Sequence, residues 1–158
     1  MKNWEPLTCA YFAGLFDGEG CFNIRIHRPS KKPDSSHYMC RICITNTSLP
    51  MIEWVMENFG GNFHKRTRNP KCKDVYHWSI SGPPMVNVLH AIYPYLRAKR
   101  PHADIMIRFR STFDPKRTSR MEIPEDVKQI RSECIQALHN LNHRGSSIPC
   151  PLSPSALR

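Results

Sequence analysis

Apolar positions along the chain change period several times, and the changes predict the elements. Between residues 5 and 16 bulk recurs at helical spacing, with Tyr11, Phe12, Leu15 and Phe16 following Pro6 in a first turn. Gly18 and Gly20 are expected to stop this helix. The period then becomes two. From Cys21 to His27, Phe22, Ile24 and Ile26 alternate with Asn23, Arg25 and His27, the pattern of a half-buried strand. Residues 28–37 are a polar turn. Residues 38–45 alternate again, with Cys40, Ile42 and Ile44 inward and Met39, Arg41 and Cys43 outward, so the two strands form a hairpin.

Ser48 is a candidate cap for a second helix, with Pro50 in its first turn and Met51, Ile52, Trp54, Val55 and Phe59 on its apolar side. Gly60-Gly61 ends it. A second hairpin is expected from Asn62 to about Arg68 and from Val75 to Ser81, where Tyr76, Trp78 and Ile80 alternate with His77 and Ser79. Gly82-Pro83 opens a third helix reaching about Leu96, with Val86, Leu89, His90 and Tyr93 as its stripe. A fourth, around residues 100–113, carries Ile105, Met106, Ile107 and Phe109. Residues 123–142 place Val127, Ile130, Cys134, Ile135, Leu138 and Leu141 at helical spacing after Pro124-Glu125-Asp126.

The order is αββαββα followed by C-terminal helices. It predicts an α+β domain over residues 1–143, with one face of its sheet under helices and the other left open. The Ser/Pro-rich stretch 144–158 reads as a flexible tail. The chain's 158 residues suit one such domain. No apolar run approaches the ~18 residues of a membrane span. The N-terminus lacks a signal-peptide pattern, so an intracellular protein is expected, its compartment open.

Charge narrows the function. Lys and Arg outnumber Asp and Glu 23 to 13, a formal net charge of +10, and a polyanion is the obvious partner. The expected open face carries Asn23, Arg25, His27, His37, Arg41, His64, Arg66, Arg68 and His77, with almost no carboxylate. Any solvated sheet face is polar, but this composition suits major-groove readout, in which Arg addresses guanine and Asn adenine. The seven cysteines are odd in number and irregularly spaced, which favours reduced thiols over a disulfide framework. Cys40-x-x-Cys43 resembles half a zinc site. No second clustered pair accompanies it, and an offset of three in a strand points the two thiols to opposite faces.

One segment carries chemistry. Ala10, Gly14 and Gly18 fall four apart and make a small-residue stripe on one helix face, fit for close approach of a partner helix or of the chain's own sheet. Asp17 and Glu19 stand where that helix ends, against the helix dipole, so another reason must hold them there. A divalent cation is one such reason, since Mg²⁺ takes carboxylate oxygens and leaves sites for phosphate. A carboxylate that caps a turn or meets a lysine is the ordinary alternative, and it suits Asp17 better than Glu19.

Residues 12–20, F-A-G-L-F-D-G-E-G, resemble the LAGLIDADG motif of homing endonucleases at every position by class. The resemblance extends to about residue 113. It implies the homing-endonuclease fold, a saddle-shaped antiparallel four-stranded sheet with helices behind it. It also implies a metal-dependent double-strand break in a long pseudo-palindromic DNA site, with short 3′ overhangs. In that family the motif helices of two half-domains pack across a two-fold axis, and the second acidic residue of each binds metal. Carried over, Glu19 is the metal ligand with the Gly18 carbonyl as helper, Mg²⁺ is the cofactor, and Ala10, Ala13, Gly14, Asp17 and Gly18 form the helix–helix interface. Asn46, within Ile44-Thr45-Asn46-Thr47-Ser48, takes the water-orienting amide role, and Lys99, within Pro94-Tyr95-Leu96-Arg97-Ala98-Lys99, the catalytic lysine role. Pro50 stands where some homodimeric members have an arginine. Only one motif is present and no internal repeat, so a symmetric site requires a homodimer. A strand of ~9 residues spans about 30 Å, roughly 9 base pairs, and two sheets with a central step give a target of about 20. An RNA maturase or a non-cleaving DNA-binding protein with the same fold is the alternative.

Overall fold

A computed structural model describes residues 4–27, 37–67, 73–114 and 122–142. Helix α1 (Pro6–Glu19) runs directly into strand β1 (Gly20–His27), which pairs with β2 (His37–Asn46). Then follow α2 (Leu49–Phe59), β3 (Asn62–Arg66), β4 (Val75–Ser81), α3 (Gly82–Ile92), a 3₁₀ turn at Tyr93–Tyr95, α4 (Arg100–Ser111) and α5 (Glu125–Asn142). The four strands form one antiparallel sheet in the order β1-β2-β4-β3. This is the expected α+β arrangement.

The core lies between the helices and one sheet face. Phe22, Ile42, Ile44 and Trp78 from the strands meet Phe12 and Phe16 of α1, Ile52 and Val55 of α2, Leu89 and Ile92 of α3, and Met106 and Phe109 of α4. Every one of these is nearly or wholly buried. Phe12 stacks on Phe59 at 4.3 Å between ring centroids and meets Trp78 edge-on at 5.8 Å. The Trp78 indole N–H donates to the Gly60 carbonyl at 2.7 Å, so its polar atom is satisfied inside the core. Helix α5 is fastened by Arg131, whose guanidinium lies over the Tyr38 and Phe113 rings and donates to the Thr112 hydroxyl and carbonyl.

Several local expectations differ from what forms. α1 continues through Gly18 to Glu19. It ends where the chain turns extended at Gly20, whose N–H donates back to the Phe16 carbonyl. A Cβ at Gly20 would lie 2.5 Å from the Phe16 carbonyl oxygen, so glycine serves there to let strand and helix touch. Ser48 occupies the N-cap position of α2, but its side chain makes no capping bond; Asn46 Oδ1 instead accepts the Ser48 N–H at 2.9 Å. In α3 the buried stripe is Met85, Val88, Leu89 and Ile92, with His90 exposed, one phase away from the expected stripe. That helix stops at Ile92, short of Leu96, because Pro94 has no N–H to continue the ladder. The expected tail and Arg68 fall outside the described residues.

Candidate functional site

The C-terminal end of α1 gathers the motif residues. A helix leaves its last four carbonyls without intrahelical donors. Here the Phe16 carbonyl takes the Gly20 N–H and the Asp17 carbonyl takes the Lys99 ammonium. The Gly18 and Glu19 carbonyls lie at the same end of the helix. The Glu19 side chain beside them is exposed and has neither a hydrogen bond nor an ion pair there. An unpaired carboxylate at the negative end of a helix dipole is electrostatically unfavourable. This oxygen-only set suits a hard divalent cation. Among the described residues of one chain no group of three or more His, Cys, Asp or Glu is assembled, so one copy presents a single carboxylate to such an ion.

Asp17 does something else. Its two carboxylate oxygens accept the backbone N–H groups of Arg97 and Lys99 at 2.7 and 2.8 Å. The loop between the 3₁₀ turn and α4 is thereby held against the end of α1, and the Lys99 ammonium returns to the Asp17 carbonyl. Asp17, expected in a helix–helix interface, is in this chain the cap of the lysine loop. Asn46 ends β2, and its side-chain oxygen is engaged by the Ser48 N–H while the amide nitrogen has no partner among the described residues.

His102, in the first turn of α4, packs its ring over Phe22 at 6.0 Å. Burial, and then the Lys99 charge, push its pKa below the usual range. Nothing in the sequence distinguished this histidine from a surface one.

The small-residue stripe sorts into two groups. Gly14 and Gly18 are exposed, and a Cβ added to either meets nothing within 4 Å. Ala10 is half-buried beside them. Ala13, expected at the interface, is 0% exposed and packs inside the chain's own core, so no second helix can touch it. Leu7, 82% exposed, and Tyr11, 59% exposed, extend the open face of α1. The helix is apolar nearly all round, a pattern that goes with burial on every side, yet one side is bare.

The open face of the sheet follows from the strand register. Asn23 opposes Arg41, Arg25 opposes Met39, and His64 opposes His77. Arg66 lies farther along β3, opposite Val75. His27 and His37 pair at the far end of the hairpin. The Oδ1 of Asn23 and the Nε of Arg41 are buried without a hydrogen-bond partner. Thr45 Oγ1 lies 2.8 Å from His77 Nδ1, and the His64 and His77 rings are 5.0 Å apart. Burial, followed by the nearby His64, Arg41 and Arg66 charges, lowers the His77 pKa. The described salt bridges include none on this row of residues; Asp74, just before β4, is bound by Lys65 at 2.7 Å.

The register also exposes a pair that strand alternation alone could not reveal. Cys43 is separated from Cys40 by the sheet, as its offset of three requires, and lies directly opposite Cys21. Sharing of a hydrogen bond between the two thiols lowers the Cys21 pKa and raises that of Cys43. Burial opposes the shift at Cys21, while Lys99, Arg41 and Arg25 add to it.

Comparison with known proteins agrees with this geometry. The family model described as LAGLIDADG endonuclease matches residues 12–112. No curated protein sequence is a significant match. Among solved structures, the homing endonuclease I-CvuI in complex with its target in the presence of Ca superposes with a TM-score of 0.70 at 17% identity, covering 90% of this chain and 87% of that one. The archaeal intron-encoded homing endonuclease I-Vdi141I complexed with DNA gives 0.71 at 14%, covering 90% and 88%. The meganuclease I-SmaMI bound to DNA gives 0.61 at 13%, but this chain, matched over 78% of its length, spans only 43% of that enzyme. No helix among the described residues is long and apolar enough to cross a membrane.

Proposed function

The chain belongs to the LAGLIDADG endonuclease family, and from that premise we propose that it is a homodimeric, site-specific endonuclease that breaks both strands of a long pseudo-palindromic DNA target. The observation that carries the dimer is the bare stripe of α1. Gly14, in the middle of the helix, costs about 0.5–1 kcal/mol relative to alanine, and the chain's own packing needs neither it nor Gly18. A second copy of α1 does need them, because crossing helices approach closely only where side chains are absent. Pairing through Ala10, Gly14 and Gly18 is isologous and brings two Glu19 carboxylates to one axis. Asp17, seven residues after Ala10, lies on the same face, while Ala13, wholly buried in the chain's own core, is left out of that contact.

Glu19, with the Gly18 carbonyl, would hold the divalent cation, for which Mg²⁺ is the expected ion. When bound, such an ion polarises the scissile phosphate and stabilises the charge of attacking and departing oxygens. The remaining work falls to the protein. The Asn46 amide, fixed through Ser48, orients the attacking water. Lys99, fixed through Asp17, offsets the negative charge that develops on the phosphate. Asn23, Arg25, Arg41, His64, Arg66 and His77 present donors and acceptors to base edges and phosphates along the open face, and His27, His37 and Arg68 extend that set. The two sheets together span roughly 20 base pairs. Cutting across the minor groove leaves short 3′ overhangs.

The test is cleavage of a plasmid library of candidate palindromic sites with Mg²⁺ and with EDTA. Recovery of linear plasmids sharing one site, with Mg²⁺ only, is the expected result. Tight duplex binding with no cutting anywhere in the library would point to an RNA maturase or a non-cleaving DNA-binding protein.

A further inference from the structure

The proposed reaction leaves one pair of sulfur nucleophiles unused. Cys21 and Cys43 are directly opposed in the β1–β2 register, and the next opposed pair on the same face is Asn23 and Arg41. Cys21 is exposed, while Cys43 is 7% exposed. The Cys43 thiol donates to the Cys21 carbonyl oxygen 3.7 Å away. Opposed residues of antiparallel strands have Cα atoms about 4.5 or 5.5 Å apart, and both separations lie inside the ~4.4–6.8 Å a disulfide spans. Their Cβ atoms, about 4.5–5.5 Å apart, need to close only to ~3.8 Å, with no change of register. Metal binding lacks ligands, since no third His, Cys, Asp or Glu joins them among the described residues. Cys40 is in the core on the opposite face.

We propose that Cys21 and Cys43 form a reversible disulfide site on the open face of the sheet, oxidised by low-molecular-weight disulfides of the glutathione class when no nucleic acid covers it. The exposed Cys21 sulfur attacks one sulfur of the reagent, forming a mixed disulfide and expelling one thiol. The Cys43 sulfur then attacks the Cys21 sulfur and expels the second thiol. The protein gives up two electrons and its two thiol protons, and the reagent disulfide leaves as two thiols. Bound duplex would lie over both cysteines, since Cys21 stands two residues beyond Glu19 with Cys43 opposite it, so DNA shields the site. Shielding rests on the DNA-binding reading; the disulfide does not.

The experiment uses the full chain, wild type and Cys43→Ser. Each is reduced and then exposed to oxidised glutathione with or without a random-sequence DNA duplex at low salt. Thiols are alkylated and peptides weighed without reduction, while anisotropy in the same samples reports duplex binding. Without duplex, wild type is expected to yield a Cys21–Cys43 linked peptide lighter by two hydrogens and restored by dithiothreitol. Cys43→Ser is expected to stop at a glutathione adduct on Cys21. Bound duplex slows linkage by about tenfold or more, since exchange depends on access. A lasting Cys21 adduct in wild type, or linkage through a different cysteine pair, would overturn the site. Linkage at an unchanged rate under bound duplex would overturn the shielding. Failure of any duplex to bind would overturn the DNA reading, with the site then judged by the linked peptide alone.

Discussion

Replacing Gly14 by alanine should move the stability of one chain and the affinity between two chains in opposite directions. Within the chain the new methyl meets nothing within 4 Å, and the backbone there is ordinary helix. The substitution therefore removes only the conformational freedom of glycine in the unfolded state, worth about 0.5–1 kcal/mol. For a chain of this size that is a rise in Tm of roughly 1–4 °C. Between two copies the arithmetic reverses. A symmetric interface receives the methyl twice, and each methylene forced into a filled contact costs about 1–3 kcal/mol. The sum, about 2–6 kcal/mol, weakens dimerisation by roughly 30-fold at the low end. Thermal unfolding at protein concentrations where the dimer has dissociated reads the first effect, and sedimentation velocity across a concentration series reads the second. A variant that sediments as wild type would refute pairing through this face. A lower Tm in the dissociated state would show that the chain itself needs the glycine.

Three further outcomes follow from the same contacts. Asp17→Asn leaves one oxygen for two N–H donors, so one of the Arg97 and Lys99 amides loses its acceptor; a loss of about 1–3 kcal/mol in denaturant unfolding is expected, with slower cleavage through displacement of Lys99. Gly20→Ala places a Cβ 2.5 Å from a backbone oxygen of Phe16 and should destabilise by about 1–3 kcal/mol in the same assay, whereas Gly14→Ala does not. His77 and His102 both have folded pKa values pushed below the usual histidine range, chiefly by burial. The unfolded chain therefore binds more protons between that range and the lower folded values, and stability present above about pH 6.5 is lost as pH falls through this window. Tm measured from pH 7.5 to 5 should show this slope, and His102→Gln should flatten it.

The element order was readable because period-two and helical patterning alternate cleanly, and because Gly60-Gly61 and Gly82-Pro83 punctuate them. Glu19 is singled out by the motif, and Asn46 and Lys99 by the family resemblance of the segments around them, none of them by periodicity. What patterning does not encode is register and phase. Opposition of Cys21 to Cys43, 22 residues apart, depends on how their two strands align, and the Cys40-x-x-Cys43 spacing points to a different partner. The burial of Ala13 between exposed Gly14 and core Phe12 is a matter of helix rotation, which a helix apolar nearly all round does not signal. Asp17 illustrates a third kind of silence: its partners are backbone amides 80 and 82 residues away, which carry no side-chain signature.

The central claim is that Glu19 binds the metal that cuts DNA, and it is tested most directly by Glu19→Gln on the site recovered from the library. The variant keeps shape and reach but gives up the charge that holds a divalent cation. The account predicts unchanged dimerisation and duplex affinity equal to or better than wild type, with cleavage in Mg²⁺ lost by several orders of magnitude. Cutting at a rate near wild type would contradict it.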